Sequence, residues 1–174
     1  MAACPPHQIV VRTARPGDLP AVARLLDDAG TWMRSRGITD QWPRRFPLSD
    51  LARRVDRGEL HIAYDDDTPI GTFALDNKAD PEFWHDDPDG TRAGYLHRLT
   101  VARHHAGQGI GAKLIDHAAD LAADSGRPWL RLDCAKNNTR LHAYYTNLGF
   151  THVRTVDVAH RKSGALFQRR ALRP

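Results

Sequence analysis

The part of the sequence best suited to chemistry is a glycine-rich turn between a predicted strand and a predicted helix. It runs from Val101 to Ala112 and reads VARHHAGQGIGA. Glycines let the backbone approach an anion closely, and the first amides of a helix have no internal partner, so they offer hydrogen-bond donors and a partial positive charge. The turn therefore predicts a site for phosphate or pyrophosphate, with Arg103 nearby to add charge.

Two common phosphate-binding fingerprints do not fit this turn. A Walker loop ends in Gly-Lys-Ser/Thr, whereas Lys113 comes two residues after Gly111 and is followed by Leu114. A dinucleotide-binding fold places its glycines after the first strand, with an acidic residue about 20 residues further on. Here the turn lies past the middle of the chain, after strands whose pattern predicts an antiparallel meander. Both interpretations are therefore poor.

Four predicted elements surround the turn. They are a strand over 95–101, a helix over 109–125, a strand over 129–134 and a helix over 139–148. Strand alternation puts Tyr95, His97, Leu99 and Val101 on one face of the first strand. The helix over 109–125 is well defined because its apolar residues recur at helical spacing and Gly126 follows its end.

A second set of residues follows at a characteristic spacing. Asn138 precedes Tyr145 by seven residues, and Leu148-Gly149-Phe150 comes directly after that helix. With the strand, turn and long helix, this arrangement resembles the GCN5-related N-acetyltransferase (GNAT) family over roughly residues 95–150. The resemblance implies an α/β (α+β) fold with a mixed central sheet of about six or seven strands and about four helices. It also implies acetyl-CoA as cosubstrate, with no metal.

The resemblance further implies a path for coenzyme A along these residues. The turn would hold the pyrophosphate, although Ala106 stands where the family pattern has Arg or Gln, which removes one side-chain contact but no backbone amide. The backbone of Leu99 and Val101 would pair with the pantetheine arm as an added strand, with Asn138 on the other side. The implied cofactor-binding residues are Leu99, Thr100, Val101, Ala106, Gly107, Gln108, Gly109, Ile110, Gly111, Ala112, Asn138 and Tyr145.

Direct attack of a neutral amine on a thioester needs a base, a donor to the oxyanion and an acid. Tyr145 matches the family's general acid, because a phenol with a pKa near 10 can protonate a departing sulfur; the alternative is that it only packs the helix, as Tyr144 would. His97 is the candidate base because it shares a face with Leu99 and because imidazole is the side chain best suited to exchange protons at physiological pH. The alternatives are a surface histidine and a chain of water molecules as base. The oxyanion donor would be the amide near Leu99.

The acceptor site is expected near the first two helices, as in the family. Trp32, Gln41 and Trp42 lie in an aromatic-rich segment that we predict to be irregular from Gly30 to Pro47, and Tyr95 stands where some relatives carry a glutamate. These four residues are the predicted acceptor-binding residues, for an amine of a small molecule or a peptide. Packing in the local core is the alternative role for at least one of them.

The remaining elements complete one domain, predicted over residues 9–174 after a loose leader at 1–8. They are a strand over 8–12, a helix capped by Asp18, a helix over 49–57, a hairpin of strands 60–64 and 70–75, and closing strands over 150–158 and 166–170. The resemblance adds a homodimer formed through the C-terminal strands. The alternative function is an acyl-CoA-binding regulatory module without catalysis.

Composition narrows the class of protein. The chain has 174 residues, 41% of them hydrophobic, which is enough for one hydrophobic core. Its net charge is +4, but the basic residues are spread along the sequence, so nucleic-acid binding is not favoured. It has no apolar run of about 18 residues and no signal-peptide pattern, which predicts a cytoplasmic protein without a membrane partner. Cys4 and Cys134 have no metal-ligand spacing around them.

Overall fold

The structure is a computed structural model that describes residues 9–39 and 41–171. Over these ranges the chain forms one seven-stranded mixed sheet with four α-helices, which confirms the predicted fold. The elements are β1 (Ile9–Thr13), α1 (Leu19–Ser35), α2 (Leu48–Asp56), β2 (Leu60–Asp65), β3 (Thr68–Asp76), β4 (Ala93–Val101), α3 (Ile110–Asp124), β5 (Trp129–Ala135), α4 (Thr139–Asn147), β6 (Thr151–Thr155) and β7 (Ser163–Arg170). The predicted leader, residues 1–8, lies outside the described residues.

The strands β4 and β5 diverge in the middle of the sheet. The strand order is β1-β2-β3-β4-β5-β7-β6, and β4 and β5 are parallel while the other neighbours are antiparallel. Residues Ala93–Tyr95 pair with Trp129–Arg131, and from Leu96 onward β4 has no partner in β5. The edge of β4 that faces β5 is therefore open in its second half, where the strand leads into the glycine-rich turn.

A β-bulge interrupts β4 at Arg98 and Leu99. The flanking residues, His97 and Thr100, pair with residues of β3 that are only two positions apart, so two residues of β4 face the single residue Phe73. Arg98 adopts a φ of +55°, which is unusual for a residue other than glycine. A bulge of this kind bends the strand and shifts its side-chain alternation by one residue.

The bulge overturns one sequence prediction. We expected Tyr95, His97, Leu99 and Val101 to share one face, because a regular strand alternates with a period of two. Instead, Leu99 and Val101 pack against the hydrophobic cluster that contains Leu96, whereas Tyr95 belongs to a separate aromatic cluster. The extra residue in the strand places Leu99 and Val101 on the face opposite to Tyr95 and His97, so His97 does not share a face with Leu99 as the sequence predicted.

Helices cover both faces of the sheet. On one face α3 and α4 pack on a cluster that includes Phe73, Leu114, Leu132, Tyr145 and Phe167. On the other, α1 and α2 enclose a cluster that includes Val22, Leu26, Leu51, Leu60 and Ile62. Within the described ranges, no helix is both long and apolar enough to cross a membrane.

The structure corrects two details of the N-terminal region. Helix α1 continues through Ser35, so Trp32 is helical and does not lie in an irregular segment. Asp18 stands at the start of α1 without capping it through its side chain. Its carboxylate instead accepts hydrogen bonds from Arg12 at 2.6 and 2.9 Å and from Tyr64 at 2.8 Å. The Arg15 amide also donates to this carboxylate at 2.6 Å, so Asp18 closes the turn that precedes α1 and not the first turn of the helix.

Candidate active site

The glycine-rich turn enters α3 through two residues with left-handed backbone. Gly107 has a φ of +81° and Gly109, the N-cap of α3, has a φ of +75°. A Cβ at either position would meet nothing within 4 Å, so the space in front of the helix is open. Among the described residues, none accepts a hydrogen bond from the amides of residues 107–112. Free amides at an accessible helix N-terminus fit a pyrophosphate.

Gly111 has a steric role that the sequence did not indicate. A Cβ at Gly111 would lie 2.5 Å from the hydroxyl oxygen of Tyr144. The hydroxyl of Tyr144 therefore lies over the first turn of α3, and a larger residue at position 111 would require the Tyr144 side chain to shift. This contact joins α4 to the start of α3, on the two sides of the predicted coenzyme path.

The side chains of the turn point to contacts within the protein. Gln108 donates to the carbonyl of His104 at 3.5 Å, so it folds back on its own turn. The guanidinium of Arg103 lies 3.9 Å from the centroid of the Trp32 ring, a cation–π contact that ties α1 to the turn. Arg103 and His104 also line a cavity of about 280 Å³ between α1 and the turn.

Asn138 and the open edge of β4 are the features predicted to hold the pantetheine arm. Leu99 and Val101 are half-buried at the rim of the core, and the hydroxyl of Thr100 donates to the carbonyl of Arg98 at 3.2 Å. Asn138, which follows β5, is the N-cap of α4, and its Oδ1 accepts from the Leu141 amide at 3.0 Å. The side-chain NH₂ group of Asn138 donates to no group of the described chain, so it remains available to a ligand.

The two adjacent tyrosines of α4 differ in burial. Tyr145 is 8% exposed and its ring packs against Phe150 and Phe167, with centroid distances of 5.6 and 5.9 Å. Tyr144 is 38% exposed. Burial, with smaller contributions from Cys134 and other neighbours, raises the pKa of Tyr145 well above its usual value near 10. The phenol therefore keeps its proton at neutral pH, as a proton donor must.

His97 pairs with a carboxylate that the sequence analysis missed. Its Nε2 lies 3.3 Å from Oδ2 and 3.4 Å from Oδ1 of Asp76, at the end of β3. The register of β3 against β4 brings the two side chains together. Ala74 is opposite His97, and Asp76 is two residues further along β3, on the same face. Finding Asp76 from sequence would have required the register of β3 against β4.

The segment between α1 and α2 reaches the bulge of β4. Trp42 packs edge-to-face on Phe46 at a centroid distance of 5.4 Å, and the guanidinium of Arg98 lies 4.4 Å from the Phe46 centroid. Arg98 also donates to Asp50 of α2 at 2.8 Å. Gln41 lies in the same segment and is half-buried. The predicted acceptor residues Gln41 and Trp42 are thus on the segment that borders the bulge.

Tyr95 is built into the core and does not line an open pocket. Its side chain is buried beside Trp84, and its hydroxyl donates to Asp87 at 2.8 Å and lies 3.4 Å from Arg131. Asp87 in turn accepts from the amides of the 91–92 segment. This network fixes the loop before β4, so the structure gives Tyr95 a packing role in place of the predicted contact with an acceptor.

The sequence profile described as "Acetyltransferase (GNAT) family" matches residues 21–150. This chain belongs to the GNAT family of acetyltransferases. The GNAT match runs from α1 to the end of α4 and so includes the turn, the bulge, His97 and Tyr145. The enzyme class of the GNAT family is acyltransferase.

Individual relatives agree with the GNAT assignment. The chain is 28% identical over 139 residues to the uncharacterized N-acetyltransferase YesJ of Bacillus subtilis (strain 168), which covers 76% of each protein. A GNAT acetyltransferase structure from Listeria monocytogenes 4b F2365 matches with a TM-score of 0.80 at 23% identity, over 97% of this chain and 98% of that one. The putative acetyltransferase yncA of Salmonella typhimurium, solved with acetyl-CoA, matches with a TM-score of 0.71 at 14% identity, over 96% of each chain.

Proposed function

We propose that this GNAT protein transfers the acetyl group of acetyl-CoA to an amine of a small molecule or a peptide. The observation that carries the proposal is the continuity of two binding surfaces. The unpaired edge of β4 leads directly into the turn whose amides, over residues 107–112, have no acceptor in the described chain. An extended arm that ends in a pyrophosphate matches both surfaces at once.

The cosubstrate would be held mainly by backbone groups. The amides of residues 107–112 would bind the pyrophosphate, and the backbone from Leu99 to Val101 would pair with the pantetheine arm. The free NH₂ group of Asn138 would donate to the same arm from the other side. Because the side chain of Ala106 carries no polar atom, the anion would be bound without a side-chain donor at that position.

The reaction forms an N–C bond and breaks the C–S bond of the thioester. In our proposal, an amide at the Leu99 bulge donates to the acetyl carbonyl oxygen, since the bulge interrupts the regular pairing with β3 at this point. His97 takes the proton of the attacking amine, and Tyr145 gives its proton to the sulfur. Solvent then returns the proton to Tyr145 and removes the one on His97.

The acceptor would approach along the α1–α2 segment. Trp42, Gln41 and Phe46 lie on this segment next to the bulge, and Trp32 on α1 borders the turn through Arg103. These aromatic rings are large, rigid surfaces on which the apolar part of an amine can pack.

An acceptor screen tests the proposal. The full-length protein would be incubated with acetyl-CoA and a panel of amino acids, polyamines, arylalkylamines and peptides, with thiol release and product mass as readouts. Turnover of at least one amine is the expected result. Binding of acetyl-CoA in calorimetry without an acetylated product from any amine would favour the non-catalytic acyl-CoA-binding module. Absence of binding would overturn both functions.

A further inference from the structure

Only one nitrogen of the His97 imidazole has a hydrogen-bond partner in the described part of the chain. His97 stands on β4 directly before the bulge, and its Nε2 lies 3.3 and 3.4 Å from the two oxygens of Asp76. The Nδ1 atom makes no hydrogen bond to the described part of the chain. The side chain of His97 is 28% exposed and that of Asp76 is 6% exposed. One ring nitrogen thus faces a buried carboxylate, and the other is left for a ligand.

The carboxylate of Asp76 is itself held by two further donors. Nη1 of Arg54 lies 3.1 Å from Oδ2, and the Lys78 amide lies 3.0 Å from Oδ1. Glu59 accepts from the same Arg54 nitrogen at 3.2 Å, which keeps that guanidinium in place. Burial alone would raise the pKa of Asp76, but the hydrogen bonds from His97, Lys78 and Arg54 outweigh it and lower the pKa to about 2. Asp76 is therefore ionised at neutral pH.

An ionised carboxylate can only accept hydrogen bonds, so the Nε2 atom that faces it must carry the hydrogen. In a neutral imidazole the lone pair is then on Nδ1. We propose that Asp76 is a positioning residue that fixes His97 as the Nε2–H tautomer, so that Nδ1 receives the proton of the acceptor amine. This inference rests on the proposed acetyl transfer. Once Nδ1 is protonated, Asp76 also stabilises the imidazolium through a charge-assisted hydrogen bond.

The test reads the tautomer and the turnover separately. Imidazole ¹⁵N shifts of the full-length, uniformly ¹⁵N-labelled protein report which ring nitrogen carries hydrogen, and the spectrum of His97→Gln assigns the His97 signals. In Asp76→Asn, the new NH₂ group is a donor at the position of one carboxylate oxygen. It can donate to Nε2 and so place the ring hydrogen on Nδ1, where it removes the lone pair.

We expect the wild type to show the Nε2–H tautomer, and Asp76→Asn to gain the Nδ1–H tautomer and lose turnover by at least about tenfold. Glu59→Gln is the matched control, because it removes one negative charge from the same network, keeps an acceptor for Arg54 and makes no contact with His97. It should keep both the tautomer and the turnover. If the fold of the Asp76 variant fails, the wild-type spectrum still decides the tautomer.

A wild-type spectrum with the Nδ1–H tautomer would overturn the inference. An Asp76→Asn variant that keeps both the Nε2–H tautomer and normal turnover would overturn it as well, while leaving the proposed function intact. If no amine of the panel is acetylated by the wild type but the tautomer changes in Asp76→Asn as described, the proposed function fails and the positioning of the imidazole is supported.

Discussion

Replacement of Gly109 by Asp tests the turn as a phosphate site. Gly109 has a φ of +75° and open space where a side chain would go, so the folded state should lose about 1–2 kcal/mol through backbone strain. The new carboxylate would stand at the N-terminus of α3, where contact with a bound phosphate would mean a separation of about 4 Å between the charges. At that distance two unit charges repel by about 1 kcal/mol in water and about 4 kcal/mol at an effective dielectric constant of 20.

The site is open to solvent and a pyrophosphate carries two charges near the turn. We therefore expect Gly109→Asp to weaken CoA binding by about 2–4 kcal/mol, which is about 30- to 1,000-fold in Kd. Isothermal titration calorimetry with CoA measures this loss directly. Raising the salt concentration should reduce the loss, since exposed charges are screened.

Gly126 provides the matched control at the other end of α3. It has a φ of +74° and open space around its missing Cβ, so Gly126→Asp carries similar strain and the same added charge. It should bind CoA like the wild type. Gly109→Ala keeps the strain without the charge and should bind better than Gly109→Asp. Equal CoA affinity for Gly109→Asp and Gly126→Asp would show that the turn does not hold the pyrophosphate.

Three further predictions address the chemistry and the stability. Tyr145→Phe should keep acetyl-CoA affinity and lose about 10²- to 10⁴-fold in kcat, whereas Tyr144→Phe should not; normal turnover by Tyr145→Phe would make that ring structural. His97→Ala should lower turnover mainly below the pKa of the acceptor amine, and an unchanged pH–rate profile would remove His97 from the mechanism. Hydrogen bonding by Arg12 lowers the pKa of Asp18 well below its usual value. The ionised Asp18 therefore stabilises the folded state fully above about pH 4, and this stabilisation is lost as the pH falls further. In urea unfolding, Asp18→Asn should therefore be about 2 kcal/mol less stable at pH 7 and should lose less stability in acid; identical pH dependence of the two proteins would contradict this.

Elements with a strong local pattern were predictable from the sequence. Helix α3 follows its apolar periodicity and ends before Gly126, and β2 and β3 form the predicted hairpin, with its turn at Asp66. These signals lie within a few residues of the structure that they specify. Tyr145 was likewise selected by its spacing from Gly149-Phe150, but only the packing of α4 shows that Tyr145 is buried and Tyr144 is not.

The bulge in β4 was not predictable in the same way. The segment around Arg98 alternates like a regular strand, and no glycine marks the residue with positive φ. Arg98 is instead secured by Asp50 and by the ring of Phe46, which are about 50 residues away in the chain. The pairing of Asp76 with His97 was not predictable for the same reason, since it depends on the register of two strands. Contacts between distant segments set both features.

The divergence of β4 and β5 gives the sheet two mechanical halves. Strands β1–β4 form one half and β5–β7 the other, and within the described residues the two halves share strand pairing only at Ala93–Tyr95 and Trp129–Arg131. Helix α3 packs across the junction against β3, β4 and β5. The junction is therefore held by three paired residues on each strand and by the packing of α3. An extended ligand that pairs with β4 in the gap would brace the two halves, so hydrogen exchange in β4 and β5 should slow on binding.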